Sequence, residues 1–254
     1  MMFIDTHTHL YLDDFKNDID HIIDKAISEG VTKFYLPAID STVTDSLLSI
    51  ENKYPGICFA MAGLHPCSVK ENFEEELQHV QSLLKQRKFV AIGEIGIDLY
   101  WDKTFLKQQT EVFEIQMQLA LDHSIPIVIH SRNAMGECID AVKPFSDKGL
   151  KGIFHCFSGT EKEATKIIDM NFLLGIGGVL TYKNSGLADA LKNININFMV
   201  LETDAPYLTP VPFRGKRNES SYIKIIAQKL SEIKKISLDE VARITTGNAQ
   251  LIFG

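Results

Sequence analysis

Eight short runs rich in β-branched and aromatic residues recur along the chain, and most are followed by an amphipathic stretch of helical length. The runs are Phe3-Asp5, Lys33-Ala38, Ile57-Gly63, Phe89-Ile95, Ile125-Ile129, Gly152-His155, Phe172-Ile176 and Phe198-Glu202. The helical patterns between them are Phe15-Ser28, Thr42-Lys53, Glu74-Gln86, Leu106-Asp122, Ala134-Phe145, Lys162-Asp169, a brief Leu187-Lys192 and Ser220-Ile233. Alternation of strand and helix implies parallel strands joined by crossovers, and a count of eight points to closure. The expectation is an α/β fold, a TIM-type (β/α)8 barrel, in one domain covering residues 1–254. That length matches the roughly 250 residues such a barrel needs. An additional C-terminal helix is announced by Ser237-Leu238-Asp239-Glu240, which reads as a capping box. The weakest unit is the seventh, where Gly175, Gly177, Gly178 and Gly186 crowd together. An open doubly wound sheet is the competing architecture.

Composition narrows the function classes. No uninterrupted apolar run approaches the ~18 residues of a membrane span, and the N-terminus lacks a secretory pattern, so a cytoplasmic protein without membrane association is expected. The four cysteines, Cys58, Cys67, Cys138 and Cys156, form no CxxC pair and read as reduced thiols rather than a zinc ribbon or a redox motif. A net charge of −7 disfavours non-specific wrapping of nucleic acid but leaves room for a local phosphate site.

The chemistry concentrates where the runs end. The first leads into Asp5-Thr6-His7-Thr8-His9, and strand alternation sends His7 and His9 to one face. Glu94 is a charged group in the apolar run Ala91-Ile95, where an unpartnered carboxylate would be costly. His130 closes the fifth run, His155 the sixth, and Asp204 follows the eighth. A barrel gathers its active site at the C-terminal ends of its strands, so these six nitrogen and oxygen donors are expected at one mouth. The set suits Zn, Mn, Co or Mg. It exceeds the roughly three ligands of a single open catalytic ion, so two divalent ions (Mg, Mn or Zn) bridged by Glu94 are expected. His7 and His9 would hold one, His130 and His155 the other, with Asp204 reaching the first ion and a water. Such a pair activates water for hydrolysis, and Glu94 and Asp204 are the expected catalytic carboxylates.

Around the same mouth, His65 is a candidate donor to a substrate oxygen, and Arg132 and Arg214 are candidate phosphate forks. Tyr100 and Trp101 read chiefly as ordinary packing or surface residues, with an aromatic face for a base as the functional alternative. Lys216 and Arg217 read as solvated charges, and His21, His79 and His123 as surface or packing residues on helices.

Taken together, Asp5-Thr6-His7-Thr8-His9, Gly63-Leu64-His65-Pro66, Gly93-Glu94-Ile95-Gly96-Ile97-Asp98, His130-Ser131-Arg132, His155-Cys156-Phe157-Ser158-Gly159, Glu202-Thr203-Asp204-Ala205-Pro206-Tyr207-Leu208 and Arg214-Gly215-Lys216-Arg217-Asn218 give a chain that resembles, nearly end to end, the TatD family of metal-dependent deoxyribonucleases among the amidohydrolase-like barrels. The resemblance implies a two-metal TIM barrel with His7, His9, Glu94, His130, His155 and Asp204 as ligands, acting on DNA. The chain departs from the family pattern at Cys67, at Leu99 and Trp101, and at Ser220. The leading expectation is a deoxyribonuclease that needs no obligate protein partner. Hydrolysis of a small ester, amide or lactone by the same centre, and a non-catalytic metal-stabilised barrel, are the alternatives.

Overall fold

A computed structural model describes residues 1–254. Eight parallel strands alternate with helices: β1 Phe3–Asp5, β2 Val31–Leu36, β3 Cys58–Ala60, β4 Ile92–Asp98, β5 Ile127–Arg132, β6 Gly152–Phe154, β7 Leu173–Ile176 and β8 Met199–Leu201. The helices are α1 Ile19–Ser28, α2 Thr44–Lys53, α3 Phe73–Gln86, α4 Leu106–His123, α5 Met135–Ser146, α6 Glu161–Asp169, α7 Leu187–Leu191, α8 Ile223–Lys234 and α9 Leu238–Phe253.

Pairing runs β1-β2-β3 and β4 through β8 in order. Two seams join these arcs. Ala62, just past β3, forms a parallel bridge to Ile92, and the Thr6 amide donates to the Leu201 carbonyl at 3.1 Å, closing β8 onto β1. The inner packing shows the same ring. Ile4, Tyr35, Met61, Ala91, Val128, Ile153 and Val200 form one buried cluster with Leu173 against it, so each strand or its immediate flank contributes one inward side chain. An open sheet has no such interior, and the doubly wound alternative falls.

A larger cluster of 56 buried residues fills the space between barrel and helices, which explains the apolar stripes of α1, α3, α6 and α8. The C-terminal helix adds Ala249 to the inner layer, and Phe253 stacks on Tyr35 with ring centroids 3.9 Å apart. That apolar layer lies on the N-terminal side of the polar residues along the strands. No helix is long and apolar enough to cross a membrane.

Some boundaries differ from the sequence reading. The fourth and fifth strands continue to Asp98 and Arg132, so Glu94 and His130 sit inside them. The first turn of the eighth crossover, Ser220–Tyr222, is a 3-10 turn, and α8 begins at Ile223. At α9 only one half of the expected box forms, the Glu240 amide donating to Ser237 Oγ at 3.2 Å. The reciprocal arrangement occurs instead at α6, between Thr160 and Glu163.

Two glycines of the seventh unit, Gly175 and Gly178, make room for packed neighbours. A Cβ at Gly175 would stand 2.3 Å from Glu202 Oε2, so the missing side chain is the space this buried carboxylate occupies. Gly96, at φ +143°, would press a Cβ 2.0 Å from the His130 carbonyl oxygen, and only glycine lets β4 and β5 approach there.

Candidate metal centre

Strand alternation carries the inner layer upward into the site: Val128 is followed two residues on by His130, Ile153 by His155 and Val200 by Glu202. His7 and His9 lie beyond the end of β1, yet their Nε2 atoms stand 3.3 Å apart. All six expected donors therefore meet at the C-terminal mouth of the barrel.

Glu94 occupies the centre. Its Oε2 lies 3.2 Å from His7 Nε2 and 3.7 Å from His9 Nε2, while Oε1 faces His130 Nδ1 at 2.7 Å, His65 Nε2 at 3.4 Å and His155 Nε2 at 3.6 Å. Asp204 Oδ1 lies 3.7 Å from His7 Nε2 and 3.5 Å from His9 Nε2. Burial alone would raise the Glu94 carboxyl, but His65, His155 and His7, with the hydrogen bond from His130, hold it well below the ordinary carboxylate range. Asp204 is held below its ordinary value in the same way: burial opposes ionisation, and the neighbouring His9, His155 and His7 outweigh it.

The first half of this arrangement fits a divalent ion. Donor atoms around a tetrahedral ion with bonds of about 2.0–2.2 Å stand about 3.3–3.6 Å apart. The measured contacts among His7, His9, Glu94 Oε2 and Asp204 run from 3.2 to 3.7 Å. On the other side His65, Glu94 and His130 cluster, and His7 joins His155 and Asp204. Cys156 lies beside His155 and Glu202, and burial, then Asp204 and Glu202, push its thiol well above the ordinary value.

The hydrogen bonds behind the ring fix two tautomers. The single Tyr11 hydroxyl proton goes to the Pro37 carbonyl at 2.6 Å, so this oxygen must accept from His9 Nδ1–H at 2.7 Å. With that proton on Nδ1, Nε2 is the His9 nitrogen that faces Glu94 and Asp204. His65 is the reverse case: its Nδ1 accepts the Cys67 amide at 3.0 Å, so Nε2 of the neutral ring carries the proton. His65 belongs to the centre of the cluster rather than its rim, in the form of a donor. His7 has no partner on its buried Nδ1 and is instead stacked on His155, with centroids 3.5 Å apart.

Two carboxylates that the sequence reading did not single out stand behind the other histidines. Asp98 Oδ2 pairs with His130 Nε2 at 2.9 Å, and Glu202 Oε1 lies 3.0 Å from His155 Nδ1. Both are nearly wholly buried. A two-residue step from inward-facing Val200 was the signal that would have found Glu202. Burial disfavours a charged His155, but Glu202 and Glu94 outweigh it and raise the ring to about 10.

Asp5 ties the end of β1 to the end of β8 by accepting the Thr203 amide at 2.9 Å and the Thr203 hydroxyl at 2.6 Å. Asn218 holds the Asp204 turn through the carbonyls of Thr203 and Tyr207. Its neighbour Arg217 is not the solvated charge expected: it grips both Asp18 oxygens, at 3.0 and 2.6 Å, because the returning loop passes beside α1. Arg132 and Arg214 have no carboxylate within 4.0 Å. Their guanidiniums lie over the rings of Tyr100 and Tyr182, at 3.8 and 4.5 Å from the centroids. His21 and His123 are exposed, and His79 bonds Thr44, all away from the centre.

A parallel barrel whose mouth gathers imidazoles and carboxylates around one central glutamate has the make-up of a metal-dependent hydrolase. Residues 4–254 match the family described as TatD related DNase, and the chain belongs to that family. Among curated relatives, the uncharacterized metal-dependent hydrolase YabD of Bacillus subtilis is 39% identical, the match covering 99% of each chain. The 3'-5' ssDNA/RNA exonuclease TatD of Pantoea ananatis is 28% identical over 94% of this chain and 95% of its own. Among solved structures, the TatD homologue YjjV of Escherichia coli superposes with a TM-score of 0.93 at 28% identity, covering 99% of this chain and 97% of that one.

Proposed function

We propose that this hydrolase cleaves DNA phosphodiester bonds with two divalent ions, Mg, Mn or Zn, held by His7, His9 and Asp204 on one side of Glu94 and by His130 and His155 on the other. The observation that carries this reading is the opposed use of the two Glu94 oxygens, each facing its own set of imidazole nitrogens. When bound, such a pair lowers the pKa of a water and stabilises charge on the attacking and leaving oxygens. Asp204, kept ionised by the neighbouring imidazoles, accepts the proton of the attacking water. His65 donates from Nε2 to a non-bridging phosphate oxygen. Arg132 and Arg214, free of carboxylate partners, grip the phosphates on either side. The 3'-5' ssDNA/RNA exonuclease activity named for the Pantoea relative supports a nucleic-acid substrate.

The test is hydrolysis by metal-stripped protein resupplied with Mg, Mn or Zn, on end-labelled single- and double-stranded DNA beside a simple ester. Metal-restored DNA cleavage is the expected result. Ester turnover without DNA cleavage would move the substrate to a small molecule, and no turnover with any metal would leave a non-catalytic barrel.

Tyr11 supports the first ion by setting the His9 tautomer. Replacing it with Phe leaves the His9 Nδ1–H buried without an acceptor. The affinity of the metal-free protein for a divalent ion is expected to fall about 10–100-fold, the usual effect of losing such a partner. Calorimetric titration of folded Tyr11→Phe with Mn or Zn checks this; an unchanged affinity would refute the assignment.

A further inference from the structure

Trp101 is the only tryptophan of the chain and is 70% exposed, and its neighbour Tyr100 is 52% exposed. Contiguous exposed apolar surface, unlike scattered single residues, is the kind that marks an interaction site. The two rings meet edge to face at 4.8 Å, and the Arg132 guanidinium lies 3.8 Å from the Tyr100 centroid and 5.2 Å from that of Trp101. No carboxylate lies within 4.0 Å of this cation, and its forked donors meet no acceptor in the protein.

The position of the group is fixed by the metal centre itself. Asp98 Oδ1 accepts the amides of Tyr100 at 2.9 Å and Trp101 at 3.2 Å, while Oδ2 of the same carboxylate pairs with His130. Arg132 is the strand partner of Asp98 and stands only two residues beyond His130, about 7 Å along the strand. The rings therefore stack on a side chain one strand repeat beyond a candidate ligand, on the same face of the strand. Three features coincide there: flat apolar faces, a free guanidinium for a phosphate, and a rigid tether to a candidate ligand.

We infer that Tyr100, Trp101 and Arg132 form a base-stacking subsite, in which an unpaired nucleobase next to the scissile phosphate lies on the rings while Arg132 holds the adjoining phosphate. This rests on the nuclease reading above. Every base has a π-face, so the subsite is tolerant of sequence. A base within a duplex is already covered by its neighbours, so the subsite selects single-stranded ends.

Trp101 emission reports the subsite directly, because no other tryptophan contributes. Titrating the metal-loaded protein with a short phosphorothioate oligothymidylate is expected to quench that emission. A blunt duplex, or the same oligomer lacking the base nearest the cleavage point, should quench at least about tenfold less effectively. In cleavage assays Trp101→Ala is expected to raise KM for the single strand about tenfold with kcat within about twofold, and Trp101→Phe to restore most of the loss. Equal quenching by duplex and single strand, or an unchanged KM in Trp101→Ala, would overturn the subsite. So would a concentration-dependent emission shift without DNA, which would mark an interface between copies. Absence of DNA cleavage together with selective quenching would sink the nuclease reading and leave the subsite standing; absence of both would remove both.

Discussion

Replacement of Glu94 by Gln is expected to reduce metal-dependent hydrolysis by a factor of about 1,000 or more while leaving the barrel folded. One carboxylate faces five imidazoles, His7 and His9 through one oxygen and His65, His130 and His155 through the other. An amide of the same shape carries no charge, and one of its ends becomes a donor that must point at one of the two donor sets. Loss of charge stabilisation worth about 4 kcal/mol corresponds to about three orders of magnitude in rate. Elemental analysis of the purified variant should show fewer than two ions per chain, and its far-ultraviolet circular dichroism should match the parent. A fully active Glu94→Gln enzyme with two bound ions would refute the bridging assignment.

Stripping the metal is expected to abolish turnover and to lower the unfolding temperature by roughly 10 °C, both reversed on reloading. An ion supplied at a thousandfold excess over its Kd stabilises the folded state by about 4 kcal/mol, and each kcal/mol moves the midpoint of a chain this size by about 2–4 °C. The effect depends on pH with a definite sign. His155 in the metal-free site is raised to about 10 because Glu202 and Glu94 overcome the burial that would lower it, so its ring is protonated at neutral pH. An ion takes the lone pair that this proton occupies. Binding therefore releases a proton, and affinity falls as the pH falls. Calorimetry in buffers of different ionisation enthalpy measures that release directly. A binding heat independent of buffer, or a metal-induced stabilisation that grows on acidification, would contradict the mechanism.

The barrel was legible because its periodicities are local. The short apolar runs that became β1, β2 and β5 and the stripes of α1, α3 and α6 depend on neighbours a few residues apart, and those patterns survive into the packed molecule. The six donors were legible for a related reason. A histidine or carboxylate at the end of an apolar run costs free energy unless something there partners it, so its type and position already mark a site. Boundaries were less legible at β4 and β5, where the pairing of Asp98 with Arg132 extends both strands into residues that read as loop.

Residue types and their periods thus determine that eight strands form, that they run parallel, and that nitrogen and oxygen donors gather at one mouth. Which donors touch was decided by closure of the barrel. His65 reached Glu94, Asp98 came behind His130, Glu202 filled the space left by Gly175, Tyr11 set the His9 tautomer, and Arg217 found Asp18 rather than solvent. Several of these partners lie tens to hundreds of positions apart in the chain. Their separations of 2.6–3.4 Å follow from strand register and ring closure, which join elements whose local sequences carry no information about one another.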